Sequence, residues 1–364
     1  MNPYLPMSIY EIEKQLDINV FIDELISTVS NLDIYKEKLK SSKINPLLYL
    51  PTLQNKEAIA SNKIEGTQST LNDILFNKVT QNEKDKNINE VINYYNVVMT
   101  GYDELKTEKI DSNYIKKIHK VMMSGNTRGK KGTLGEYRKI QNYIGTENAT
   151  ITTASFVPPT HDKIEQYIEE LVDYINNPIQ NKKDSLIRAA IIHAQFETIH
   201  PFIDGNGRIG RILIPLYLYS HKVITLPCFF ISESIEKDKY IYYSLLNETR
   251  FKNNWNDWMK FFLKAVSKQC EKYIQMVGNI NELYERNIEI CKDLFKNINI
   301  LDFINLLFKY PIINVNLVVE NSNIPYSTAL RYLKILTENK ILYPNEKIRN
   351  TTYFYYDLLN LINE

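Results

Sequence analysis

The chain has 364 residues, 44% of them hydrophobic, which is enough for a sizeable core in one large domain or two smaller ones. Its 44 Lys and Arg nearly cancel its 43 Asp and Glu, so net charge makes no case for nucleic acid or a membrane surface as a partner. No apolar run is long enough to cross a bilayer, and Cys228, Cys270 and Cys291 lie far apart without CxxC spacing, which argues against a zinc site or a disulfide framework. With no signal-peptide pattern at the N-terminus, the expected compartment is the reducing cytoplasm.

Residues up to about Leu50 carry apolar side chains at helical spacing, among them Ile18, Phe21, Ile22, Leu25 and Ile26. Pro46 and Pro51 punctuate the end of that segment. The stretch Leu53–Thr67 follows. In it Ser61 and Glu65 stand four apart and face the same way on a helix. Gly66 is placed to end this helix in the left-handed conformation. Taken alone, that pattern reads as a solvated face with a glycine cap.

Residues 70–125 read as helices, with Asp111 capping the one that carries Tyr114, Ile115, Ile118, His119 and Met122. His119 falls among apolar residues and reads as a packed histidine, not a ligand. Ser124–Gly135, with Arg128, Lys130 and Lys131, reads as a solvated loop. Residues 150–157 are β-branched and aromatic, and Pro158-Pro159 closes them, so a β-hairpin is predicted over roughly 141–157. An amphipathic helix covers 160–176 and stops at Asn176-Asn177-Pro178. Asp184-Ser185 is expected to cap the next helix, whose inner series is Leu186, Ala189, Ala190, His193, Phe196 and Glu197. That series points His200 inward at the C-terminal end, where the helix dipole favours an imidazolium. His193, two turns upstream, is expected to pack beneath.

The run from His200 to Arg211 is His-Pro-Phe-Ile-Asp-Gly-Asn-Gly-Arg-Ile-Gly-Arg. Gly205 and Gly207 permit positive φ, and Asn206 tolerates it, so the turn can aim several backbone N–H groups into one concavity that attracts an anion. A helix beginning near Gly207 adds unpaired donors and the positive end of its dipole. Arg208 and Arg211 are three apart and share a helical face, where guanidinium groups suit phosphate oxygens. Asp204 at the entrance can hold Mg²⁺ against the same phosphates, and His200 can take a proton from a hydroxyl near neutral pH. Together these parts describe phosphoryl or nucleotidyl transfer. Beyond Arg211, Pro215 is expected to bend the following helix without breaking it.

Every specified position of this run matches the Fic motif, and the chain is identified on it as resembling the Fic family of protein adenylyltransferases. Ser61-Asn62-Lys63-Ile64-Glu65-Gly66 then resembles that family's inhibitory (Ser/Thr)-x-x-x-Glu-(Gly/Asn) motif, in the class whose inhibitory helix lies upstream. The resemblance implies that Glu65 pairs with Arg211 and opposes ATP binding. Gly135-Glu136-Tyr137-Arg138 and Tyr143-Ile144-Gly145 resemble the lead into the family's flap. A target protein would dock on the flap by β-augmentation. Phe229–Leu263 resembles the next block, in which Tyr242 and Tyr243 help to wall the adenine pocket.

The implied fold is mainly α, a Fic helical core with a β-hairpin flap. The implied activity is transfer of AMP from ATP, with Mg²⁺, to a hydroxyl side chain of a target protein. His200 is the expected catalytic base, Asp204 the metal ligand, and Gly205, Asn206, Gly207, Arg208, Ile209, Gly210, Arg211, Tyr242 and Tyr243 the nucleotide-binding set. Ser61 and Glu65 are the expected regulatory residues. A kinase-like branch of the family has lysine at the position of Gly207, so glycine here favours AMP transfer. Removal of AMP, with Glu65 positioning water, is one alternative. A DNA-binding regulator with a nucleotide-sensing core is another.

Residues 300–364 read as an appended winged helix-turn-helix. Its helices are Leu301–Leu307, Val315–Asn321 and Ser327–Glu338, and its wing runs through Ile341–Tyr343 and Thr352–Tyr356. Arg331, Lys334, Lys347 and Arg349 make only a sparse basic face, diluted by Glu338 and Glu346, so packing or a protein partner is favoured over DNA. The expected division is an N-terminal helical region to residue 110, with the inhibitory helix at about 53–66. The Fic core is expected over 111–265, a connecting helix over 266–299, and the winged-helix region beyond. The sequence leaves oligomeric state open, a homodimer included.

Overall fold

The computed structural model describes residues 2–80, 86–125, 127, 132–145, 148–226, 229–295, 300–347 and 350–363. Arg128, Lys130, Lys131, Cys228 and Arg349, named above, lie outside them. The described chain is mainly helical. The first half runs α1 (Ile9–Gln15), α2 (Ile22–Lys40), α3 (Leu50–Ile64), α4 (Leu71–Thr80), α5 (Lys86–Glu104) and α6 (Ser112–Met122). The second continues with α7 (Ile164–Asn176), α8 (Lys182–Ile199), α9 (Asn206–Ser220), α10 (Ser232–Lys237), α11 (Lys239–Lys252) and α12 (Trp255–Leu294).

The centre is α8. From Ser185 to Ile199 nearly every side chain is buried, so the helix is enclosed on all sides instead of showing one wet face. It packs on α9, α7 and α12. Trp258 of α12 is fully buried and donates its indole N–H to the Ala190 carbonyl at 3.0 Å. The cap of α8 is Asn181, whose side chain accepts from the Lys183 and Asp184 amides, and not the expected Asp184-Ser185. Asp111 does cap α6, accepting from the Tyr114 amide at 2.7 Å. Helix α9 runs unbroken through Pro215.

At the N-terminus the expected continuous helical face is interrupted. Ile18 lies in a single 3-10 turn and is 47% exposed, and Ile26 is 52% exposed, while Phe21 and Leu25 are buried. The buried face of α2 runs instead through Leu25, Leu32 and Leu39, and it packs along the forty-residue α12.

Two further expectations change. The predicted hairpin over 141–157 is reduced, among the described residues, to one antiparallel bridge between Ile144 and Phe156. Thr150 and Thr153 turn the segment on local hydroxyl and backbone bonds, which compete with a longer ladder. The tail holds α13 (Ile300–Lys309), α14 (Val315–Glu320) and α15 (Tyr326–Glu338) with strands β1 (Ile312–Asn314), β2 (Tyr343–Pro344) and β3 (Thr352–Phe354). These form an antiparallel sheet of order β1-β3-β2, in which Phe354 lies opposite Ile312 and Tyr343. A terminal helix that the sequence reading lacked, α16 (Tyr356–Asn363), folds back on α12 and α3.

The tail shares its core with the rest of the chain. Phe308 packs between Tyr284 of α12 and Tyr355, at ring distances of 5.2 and 5.6 Å. Phe354 stacks on Phe76 of α4 at 6.3 Å. A chain cut after Leu294 would bare these surfaces together. We expect it to aggregate, or to melt several degrees below the full chain in a circular-dichroism scan. A soluble fragment with an unchanged melting temperature would show that the tail is an independent unit.

Candidate active site

The motif loop joins α8 to α9 through two left-handed residues, His200 at φ 50° and Gly205 at φ 81°. Asn206 closes the loop. Its side chain accepts from the Phe202 amide at 2.8 Å and donates to the Phe202 carbonyl at 2.9 Å. Asn206 is therefore helical and bracing, and does not take the left-handed conformation considered for it. Gly207 is also helical and lies close against the Glu65 side chain. A Cβ there would meet Glu65 Oε1 at 2.2 Å. Gly210 is constrained alike, since its Cβ would meet Glu197 Oε1 at 2.3 Å. Ile209 is fully buried in the core, so it offers no side chain to the site.

Two residues without an assigned role hold this loop. The ring of His119 accepts from the Gly135 amide through Nδ1 at 3.0 Å, so Nε2 carries the proton and donates to the Asp204 carbonyl, also at 3.0 Å. It stacks on Phe202 with a centroid distance of 3.7 Å. Burial lowers its pKa to about 4, which keeps the ring neutral. Arg138 donates from Nε to the His200 carbonyl at 3.0 Å and from Nη2 to the Pro159 carbonyl at 2.5 Å, tying the segment before the flap to the motif. Neither role was readable from spacing, because the partners are backbone atoms far along the chain.

A cleft of about 340 Å³ opens at this loop, lined by His200, Asp204, Gly205, Gly207, Arg208 and Glu65 among others. Thr67, Glu90 and Ile203 also line it and were not expected. Thr67 donates to Glu90 Oε2 at 3.1 Å, and the same oxygen lies 3.5 Å from Arg208 Nη1. Arg208 also faces Asp204 at 3.6 Å. Asp204 accepts from the Gly205 amide at 2.6 Å, and burial raises its pKa against the pull of Arg208.

Arg211 turns away from Arg208 and toward α3. Its side chain is 1% exposed. Nε donates to Ser61 Oγ at 2.9 Å, and Nη2 donates to the Ser61 carbonyl at 3.0 Å and to Glu65 Oε1 at 2.7 Å. Gly66 ends α3 at φ 84°, as expected. The Glu65 side chain is 37% exposed, and its partial burial, which raises the pKa, is outweighed by the Arg211 guanidinium, which holds the carboxylate ionised. The carboxylate rests against Gly207 at the start of α9.

The imidazolium expected at the end of α8 is not formed. Burial, then the Arg250 and Arg138 guanidinium groups, lower the His200 pKa to about 3, and these outweigh the helix dipole. His193 packs beneath as expected, with no exposure, its Nε2 3.0 Å from the Tyr242 hydroxyl. Tyr242 is buried in a cluster with Trp258 and Phe261, whereas Tyr243 is 41% exposed beside it. Of the pair, Tyr243 is the ring that can face a ligand. Among the described residues no group of three or more His, Cys, Asp or Glu is placed to hold a metal. None of the described helices is long and apolar enough to cross a membrane.

The Fic/DOC family pattern matches residues 109–218, and the Fic/DOC family N-terminal pattern matches residues 23–103. The chain belongs to the Fic/DOC family. Among similar curated proteins is a probable protein adenylyltransferase of Aquifex aeolicus, 23% identical over 269 residues, covering 67% of this chain and 77% of that one. The protein adenylyltransferase fic-1 of Caenorhabditis elegans is 32% identical over 84 residues, covering 23% of this chain and only 15% of the worm protein. A solved Fic family protein from Desulfovibrio desulfuricans aligns over 98% of both chains with TM-score 0.54 at 18% identity. A Fic domain containing signaling protein from Bacteroides thetaiotaomicron aligns over 69% of this chain and 97% of its own, with TM-score 0.54 at 20% identity. Glu65 falls within the Fic N-terminal match, and the whole motif loop falls within the Fic match.

The Fic core buries histidines, and that sets a pH dependence. Burial lowers the His193 pKa to about 3, so the folded state resists a proton that the unfolded chain accepts below about 6.5. Its contribution is constant above pH 6.5, and stability is lost as pH falls from 6.5 toward 3. His193→Gln keeps a polar partner for Tyr242 and does not titrate. In denaturant unfolding at pH 7, 6 and 5, wild type should lose ground to this variant by on the order of 1.4 kcal/mol per pH unit below 6.5. Parallel pH curves would show that His193 is protonated in the fold.

Proposed function

We propose that this chain is a protein adenylyltransferase that moves AMP from ATP to a hydroxyl side chain of a target protein, and that Glu65 holds it inactive. One observation carries the reading: the Glu65 carboxylate, paired with Arg211 at 2.7 Å, lies against Gly207 at the start of α9, where a helix N-terminus can receive an anion. The family's complete motif surrounds the same cleft, and relatives named protein adenylyltransferase support the chemistry.

The polyphosphate of ATP would lie on the Gly205–Gly207 turn, the first amides of α9, Arg208 and, once Glu65 leaves, Arg211. The target hydroxyl attacks the α-phosphate and loses its proton to His200, the bond from that phosphorus to the pyrophosphate oxygen breaks, and pyrophosphate leaves. His200 is neutral and can accept a proton; polyphosphate beside it would offset Arg250 and Arg138 and strengthen it as a base. Asp204 lines the cleft, as Glu65 and Glu90 do, and its carboxylate would hold Mg²⁺ together with substrate phosphates. When bound, Mg²⁺ would neutralise charge on the leaving phosphates. Tyr243 is the side chain we assign to the adenine. The target would lie along the flap near the exposed Ile140 and Tyr143. The tail, α13 to α15 with its small sheet, is read as a winged-helix module that serves packing and partner binding more than DNA.

Glu65→Gly should raise self-modification with labelled ATP by about one to two decades, since a charge-assisted bond is worth about 1.5–3 kcal/mol. Glu65→Gly combined with Arg211→Ala should lose the gain. A Glu65→Gly protein no faster than wild type would refute the inhibitory role. His200→Ala in the Glu65→Gly background should abolish transfer while nucleotide binding, read by calorimetry, persists. Transfer retained at a near-parental rate would refute the assigned base.

A further inference from the structure

The inhibitory helix is held by more than its own Arg211 contact. On the same face of α3, one and two turns before Ser61 and Glu65, Glu57 is buried and accepts from three donors. These are the Tyr94 hydroxyl of α5 at 2.8 Å, the Ser232 amide at the start of α10 at 3.1 Å, and the Ser232 hydroxyl. Glu57 thus fixes α3 to the core.

The neighbouring Lys56 reaches the other way. Its ammonium donates to the carbonyl of Ile362, near the end of α16, at 2.5 Å, and lies 3.6 Å from Glu233 of α10. Its side chain is only 15% exposed, so the contact is sheltered from solvent. A lysine on the last carbonyls of a helix also meets the negative end of its dipole. A second contact grips α4, the helix that follows α3 across the Gly66 turn. Phe76 there stacks on Phe354 of β3, with planes 10° apart. Phe354 stacks in turn on Tyr356, and Tyr356 meets Tyr343, both of them partly exposed on the tail. The tail therefore touches both helices of the α3–α4 pair, and a row of aromatic rings leads from its surface to α4.

We propose that the C-terminal tail is a second latch on the inhibitory helix, acting through Ile362 on Lys56 and Phe354 on Phe76. This rests on the inhibitory role of Glu65. Motion of α3 that lifts Glu65 from Arg211 must strain or break the Lys56 bond. Loosening of β3 or α16 would weaken inhibition without any group entering the cleft. Coupling of this kind requires only that the tail contacts favour the inhibited position of α3.

The test uses the full chain. Lys56→Met keeps the length and apolar stem of the side chain and removes its donor; Phe76→Leu loosens the second contact. Each is made with Glu65 present and in the Glu65→Gly background, and self-modification with labelled ATP is measured in all four proteins. With Glu65 present, each change should raise the rate by about three- to tenfold, the equivalent of one net hydrogen bond or ring contact. In the Glu65→Gly background each should change the rate less than about twofold, because no latch remains to release. Amide exchange along α3 should quicken in Lys56→Met with Glu65 present. An active Glu65→Gly protein beside an unchanged Lys56→Met and Phe76→Leu would overturn the latch and leave the inhibitory reading intact. Equal gains in both backgrounds would also overturn it. No gain from Glu65→Gly would overturn both.

Discussion

A guanidinium with 1% exposure cannot be left without a counter-charge, and Arg211 is such a group. In the structure the charge is met by the Glu65 carboxylate and by two oxygens of Ser61, all from α3. A phosphate is the other ligand with the charge and geometry to replace them. On the proposed reading the carboxylate and the nucleotide compete for that position, the seat beside Arg211. Gly207 lies against it, and a Cβ there would come within 2.2 Å of Glu65 Oε1, so a side chain would have to displace the carboxylate.

The seat is held still by groups that do not enter it. Asn206 closes the turn on Phe202, His119 pins the Asp204 carbonyl to the Gly135 turn, and Arg138 pins the His200 carbonyl to Pro159. These are polar contacts from side chains to backbone, which fix where main-chain donors and acceptors point. Their polar groups are taken out of water, and satisfied partners are what keep that tolerable. Glu197 is among the buried groups that are not satisfied. It is buried, its Oε1 has no partner, and burial raises its pKa to about 7.

Legibility of the chain divided along a physical line. Features set by neighbours in sequence were readable: the Asp111 cap, the Gly66 terminator, the four-residue spacing of Ser61 and Glu65, and the run from His200 to Arg211. Features set by tertiary packing were not. Glu90 and Thr67 reach the cleft only because α5 packs on α3, and nothing in their local sequence points there. Tyr242 and Tyr243 are adjacent and look equivalent, yet one lies in an aromatic cluster and the other is half exposed. The flap looked like a hairpin because β-branched residues favour strands, but local threonine bonds claimed the turn first. The α8 cap was missed by three residues, since both Asn181 and Asp184 are good capping residues and only the helix start decides between them.

The histidine at the end of α8 shows why local rules mislead at such a site. A helix C-terminus favours a cation, but the dipole contributes about 0.3–1 kcal/mol at an exposed position, less than desolvation takes from a buried charge. Here burial and the two guanidinium groups of Arg250 and Arg138 act together against the imidazolium. The resting ring is therefore neutral and a weak base. An anion seated on the turn opposes the same two guanidinium groups and stabilises the protonated ring. On the proposed mechanism, the ligand that brings the reacting phosphorus would thus make the proton acceptor competent. Glu65 brings negative charge to the same place without a reacting atom. Under the proposed inhibition Glu65 would occupy the seat, while the charge it brings also favours the protonated ring. On that reading, exchange of carboxylate for polyphosphate would keep Arg211 paired, keep negative charge near His200, and add an electrophile.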